Sequence, residues 1–337
     1  MSSLGSHGRL VCVPAARAGA RRVRVLTWHV HGSYLAALAR VPVQWYLPVK
    51  DGRPDGYLGR TKSYDWPDNV HEVDVSAVAD LPIDVVLTQH IRNWQVDRHE
   101  LLPSARLREL AAVHVEHDPP RGWPNDALHP VQDEATLLVH VTPFNHLMWD
   151  SGVTPTRVVE HGVLVPSGLH WTGELERGVT VVNNLTRRGR RLGADIFARA
   201  AAEVPLDLFG INAADVPQGV ASLAHAPLHA RLPAYRFFFN PIRYTSLGLA
   251  VCEAMALGLP VLGLATTEMA TVITSGVNGY VETDVDRLVA HARRLLADRE
   301  EAAALSVGAR AVAAHRFGIQ RFATDWLAVL QRAAAAR

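Results

Sequence analysis

The stretch RYTSLGLAVCEAMALGLPV, residues 243–261, carries a single carboxylate, Glu253, in a run of apolar and small residues that follows the strand-like FFFNP. A helix starting near Leu247 would hold Gly248 in its first turn, with unpaired N–H groups and the positive end of its dipole aimed past the strand. That end suits a phosphate or a polyhydroxylated ligand, and Gly248 puts no Cβ in the way of close approach. Glu253, about one and a half turns in, offers two oxygens that can accept hydrogen bonds from vicinal hydroxyls, the usual grip on a ribose. The plainer reading is an acid that only complements the helix dipole, and spacing alone leaves both open.

Three further clusters hold chemistry-bearing side chains. NNLTRRGRRLG, residues 183–193, brings four arginines together at 187, 188, 190 and 191, either a bidentate, always-charged phosphate grip or a solvated basic turn. His29 and His31 in HVHG have the spacing of two metal ligands, but no third ligand follows, and no metal is called for. The better reading is a loop in which Gly32 and Ser33 let backbone amides approach a ligand. TQHIRNW and VEHDPPRGWP set His90 and His117 at the ends of apolar runs, with Asp118 and Arg121 beside the second. No Gly-x-Ser-x-Gly elbow, no cysteine with a base, and no Walker or dinucleotide fingerprint occurs.

These residues need elements to hold them. Compact apolar runs bounded by turn residues recur from Val23 onward: RRVRVL, QWYLPV, IDVVLTQH, AAVHVEH, TLLVHVTP and RVVEHGV. They read as parallel strands buried on both faces. Segment 48–72, rich in Gly, Pro, Asp and Tyr, reads as a long surface excursion, and residues 163–178 as an interdomain linker. The rhythm then restarts with strands VTVVNNL, LDLFGI, FFFNP, PVLGL and GYVE, helices RLGADIFARAAAEV, LHARLPAYRF, LGLAVCEAMALG and TEMATVITSG between them, and three closing helices. The expectation is α/β, with two Rossmann-like doubly wound domains facing a central cleft and ligands at the carboxyl ends of the strands. The divisions are a flexible extension at 1–21, a first domain at 22–165, a second at 166–320, and a final helix at 321–337.

Bulk properties bound the rest. A chain of 337 residues exceeds one ordinary core, and 48% hydrophobic with 20% charged residues is globular rather than disordered. With 34 basic against 33 acidic side chains, no long-range field favours nucleic acid or acidic lipid. Cys12 and Cys252 form no disulfide framework and indicate a reducing, cytoplasmic setting. No apolar run is long enough to span a membrane, and no basic amphipathic stretch provides stable attachment. The LVCVPAA patch is short, contains Pro14 and lacks a preceding basic region, so it reads as part of the extension rather than a signal peptide.

The run through Glu253-Ala254-Met255-Ala256, Gly258-Leu259-Pro260-Val261 and Ser275-Gly276-Val277-Asn278-Gly279 resembles the donor-binding signature of retaining GT-B glycosyltransferases of family 4, the group 1 transferases. The resemblance extends over most of residues 22–330 and is specific in the second half. It implies GT-B architecture and transfer of a sugar, with retention, from a nucleotide diphosphate sugar to a hydroxyl acceptor: a glycan, a lipid-linked saccharide or a small secondary metabolite. No cofactor or metal is implied, and oligomeric state is left open.

In that family the second Glu, here Glu253, holds the ribose, and the first contacts the donor sugar. The first is replaced by Thr245, which either bonds the sugar neutrally or marks lost transfer. That leaves a nucleotide-sugar epimerase of the same architecture, or a non-catalytic binder, as alternatives. The resemblance further implies a diphosphate grip, carried to Arg190 and Arg191, and a donor-pocket histidine, carried to His117 with His90 in reserve. Gly32, Arg243, Thr245, Gly248 and Leu249 join Glu253 on the donor, while His29, His31, His90 and Asp118 are candidate acceptor or sugar contacts, with the last helix crossing back to the first domain.

Overall fold

The computed structural model describes residues 21–336; Cys12 and the LVCVPAA patch lie outside the described residues. Seven parallel strands form the first sheet: β1 (Arg24–Thr27), β2 (Gln44–Val49), β3 (Val70–Asp74), β4 (Val85–Thr88), β5 (Ala111–Glu116), β6 (Thr136–His140) and β7 (Thr156–Val158). Their order is β3-β2-β1-β4-β5-β6-β7. Six more, β8 (Leu175–Val181), β9 (Leu206–Phe209), β10 (Gly219–Ala221), β11 (Tyr235–Asn240), β12 (Val261–Leu264) and β13 (Gly279–Glu282), make the second sheet in the order β10-β9-β8-β11-β12-β13. The architecture is thus two Rossmann-like α/β domains. Each order reverses once, between β1 and β4 and between β8 and β11, and the crevice for a ligand opens at those points beyond the strand ends.

Central strands such as VVLT in β4 and VLGL in β12 are buried at every residue, as helices covering both faces require. The closing helix Ile319–Ala335 lays Phe322, Ala323, Trp326, Val329 and Leu330 into the core of the first sheet beside Tyr34, Val85 and Val113. Their helical spacing makes one apolar stripe, and Trp326 Nε1 donates to Tyr34 Oη at 3.1 Å. Among the described residues no helix is long and apolar enough to cross a membrane.

Several boundaries differ from expectation. Segment 48–72 is more than a surface excursion: it ends in edge strand β3, Tyr57 within it is buried, and Tyr64 reaches the cleft. The second sheet begins at Leu175, inside the expected linker, because Leu175 already pairs with Tyr235 of β11. Pro233 ends the helix expected across LHARLPAYRF, so Tyr235 and Arg236 belong to β11. Of TEMATVITSG only the turn Met269–Val272 is helical.

Candidate functional site at the domain cleft

The loop after β11 leads to a nine-residue helix, Leu249–Leu257, two residues later than expected. Gly248 stands outside it as the N-cap, and no side chain caps that end, so its first N–H groups face the cleft unclaimed by a side chain. A Cβ built on Gly248 meets nothing within 4 Å, so the fold itself does not demand glycine there. Glu253 is 6% exposed. Across from it, the helix His225–Arg231 presents two imidazoles one turn apart: His225 Nε2 lies 3.5 Å and His229 Nε2 3.3 Å from the carboxylate oxygens. Burial lowers the His225 pKa, against an upward pull from Glu253 and with a smaller downward push from His229.

From the first domain, Ser33 Oγ lies 2.9 Å from His225 Nε2 and 3.2 Å from Tyr64 Oη. Ser33, Tyr64, Leu249, His225 and Glu253 line one cavity, closed at the back by the connection through Val163. Gly32 opens a seven-residue helix against the Tyr64 ring, where a Cβ would come within 2.8 Å. A side chain at position 32 would have to displace the outer edge of that ring.

The arginine turn divides its side chains. Asn184, at φ 54°, and Gly189, at φ 57°, twist the chain through left-handed conformations. Arg190 turns outward to Asp195 at 2.8 Å and is exposed, and Arg243 grips the same carboxylate through both Nη atoms at 2.5 and 2.7 Å. Both were expected on the donor; in this structure Asp195, its carboxyl drawn down to about 2 chiefly by Arg243, engages them. Arg191 instead faces the cleft, as does Arg188 at the rim. Partial loss of hydration lowers the pKa of each, reinforced by the guanidinium of Arg121 across the cleft and, for Arg188, by Arg191. Thr245, on the loop between, makes no side-chain hydrogen bond among the described residues.

On the facing wall His31 and His117 rings lie 4.1 Å apart, and Tyr34 meets His117 edge-on at 4.6 Å. Burial lowers both imidazole pKa values, that of His117 well below the ordinary value, and His117 Nε2 is buried without a partner. Asp118 pairs with Arg121, and Tyr244 Oη crosses the cleft to the carbonyl of Pro120 at 2.9 Å. His90 is exposed at the end of β4, its Nδ1 accepting the Arg92 N–H. His29, expected as an acceptor or sugar contact, is buried, its Nδ1 bonded to the Gly59 carbonyl and its ring against Trp66, so it holds segment 48–72.

His225 and His229 escaped the sequence reading, although HAPLH has the one-turn spacing that puts two side chains on one helix face. Tyr64 carried no signal, being drawn in from a segment read as surface.

Residues 211–298, which include both imidazoles and Glu253, match the family model described as Glycosyl transferases group 1. The whole fold is similar to sucrose-phosphate synthase from Thermosynechococcus elongatus, at TM-score 0.67 and 16% identity over 94% of this chain and 100% of that one. HepE of Anabaena, in complex with UDP and glucose, gives TM-score 0.69 and 13% identity over 92% and 99%. AviGT4, a glycosyltransferase involved in avilamycin A biosynthesis, gives 0.61 and 14% over 94% and 98%. These likenesses show the GT-B fold. No curated protein matches the chain in sequence.

Proposed function

We propose that the protein is a glycosyltransferase that moves a sugar from a nucleoside diphosphate sugar to a hydroxyl acceptor with retention. The observation that carries the reading is the buried carboxylate of Glu253 behind an uncapped helix end, on the wall of an interdomain cavity. Glu253 accepts from two ribose hydroxyls, and the Gly248 and Leu249 N–H groups meet the diphosphate. Cleavage of the sugar–phosphate bond leaves negative charge on the β-phosphate, which Arg191 and Arg188 are positioned to stabilise without a divalent metal. Thr245 meets the transferred sugar through its free hydroxyl. His31 and His117, uncharged near neutral pH, and Asp118 face it from the other domain, on the acceptor side.

The family match over residues 211–298 supports the activity, and the UDP held by HepE supports a nucleoside diphosphate in the cleft. Contacts such as Ser33 with His225 and Tyr244 with Pro120 close the domains over the donor and exclude water. Incubation with a panel of nucleotide sugars and hydroxyl acceptors tests it. Acceptor-dependent release of nucleoside diphosphate is expected; sugar interconversion, or binding with neither, would contradict it.

A further inference from the structure

We propose that His225, His229 and Glu253 form a zinc site, and that zinc bound there excludes the donor. The three ligand atoms lie within 4.8 Å of one another. A tetrahedral zinc with nitrogen and carboxylate ligands about 2.0–2.2 Å away keeps neighbouring ligand atoms about 3.3–3.5 Å apart. His225 Nε2 stands 3.5 Å from one oxygen of the Glu253 carboxylate, Oε1, and His229 Nε2 3.3 Å from the other, Oε2, so each imidazole has that spacing to one of the two oxygens. Both distances are long for charge-assisted hydrogen bonds. His229 provides the independent sign: it is 2% exposed, its Nε2 is aimed at Glu253, and that atom makes no hydrogen bond. A buried imidazole nitrogen without a partner is costly, and a metal would take its lone pair. Two neutral imidazoles and one carboxylate leave a fourth position open on the side of Ser33 and the cavity, where water completes the site.

The other such cluster among the described residues, His114, Glu116 and His129, lacks this property. There the Val131 N–H donates to His129 Nδ1, which fixes the proton on Nε2, and Nε2 points at Glu116 at 3.0 Å. That nitrogen has no lone pair to offer.

All three zinc ligands belong to the second domain, so the site does not depend on domain closure. Exclusion of the donor rests on the reading of Glu253 as the ribose ligand, since one carboxylate would serve both; the metal site itself does not.

The test uses untagged protein stripped of metal, titrated with zinc against a chromophoric chelator, with cobalt as a spectroscopic stand-in. One tight site per chain and the visible bands of tetrahedral cobalt are expected. His229→Ala and His225→Ala should each weaken zinc by at least about tenfold and abolish the bands. His225, on the cavity wall, keeps the test valid if the buried His229 variant misfolds. Zinc-loaded protein freed of excess metal should fail to bind UDP at concentrations that saturate the metal-free form. Absence of a stoichiometric site, or zinc affinity unchanged in both variants, overturns the proposal, and equal UDP affinity with and without zinc overturns the exclusion. If the metal-free protein binds no nucleoside diphosphate at all, the donor reading fails while the zinc titration stands on its own.

Discussion

Burial holds several of the chain's imidazoles uncharged, and His161, in the connection behind the cleft cavity, is the clearest case. Desolvation brings it down to about 4, against an upward pull from the Leu247 backbone and with a smaller downward push from Arg321. Unfolded, the same side chain takes up a proton below about 6.5, so its contribution to stability is complete above that pH and is lost as the pH falls toward 4. Thermal unfolding from pH 7 to 4 should show His161→Phe losing less stability on acidification than the parent, by up to about 3 kcal/mol. Equal acid slopes would contradict this. At this scale the sequence singles out Glu253 as the lone acid of an apolar helix after a glycine turn, and the structure buries it on the cavity wall, while spacing alone leaves ligand contact and dipole partner both open. The arginines could not be sorted. Which of four neighbours faces the cleft depends on left-handed turns at Asn184 and Gly189 and on capture by Asp195, a residue beyond the motif.

Two glycines at the edges of functional elements separate structural from ligand-directed need. Gly193, at φ 77°, ends the arginine turn with its Cα against the Pro241 carbonyl, and a Cβ there would fall 1.9 Å from that oxygen. Gly193→Ala should destabilise the fold by about 2 kcal/mol or more, through backbone strain and the displaced Pro241 loop. Gly248→Ala, in open space at an ordinary φ of −65°, should leave the unfolding midpoint within about 0.5 kcal/mol of the parent and weaken nucleoside diphosphate binding instead. Denaturant titration and calorimetry of both variants check the pair; a destabilised Gly248→Ala with unaltered binding would reverse the assignment. Central strands were legible because both their faces are apolar. Edge strands β3 and β10 were not: VHEVD alternates with charge, and GVA is too short to stand out from a loop.

The molecule as a whole is two sheets tied by a helix that starts under the second domain and ends in the core of the first. Trp326 is its main anchor, fully buried and bonded to Tyr34. Trp326→Ala should cost about 3–5 kcal/mol in urea unfolding, and a loss below about 1 kcal/mol would show that this helix is not part of the first core. The repeated βα rhythm made the two-domain plan readable, whereas the contacts across the cleft, such as Ser33 with His225, join residues 192 positions apart and leave no local trace. The account turns on the carboxylate in that cleft. Calorimetric titration of the metal-free protein with UDP and other nucleoside diphosphates tests it most directly. One of them should bind at a single site, and Glu253→Gln, normally folded, should weaken it about ten- to hundredfold by removing a charged acceptor from the ribose hydroxyls; equal affinity in the variant, or no binding by the parent, would contradict the account.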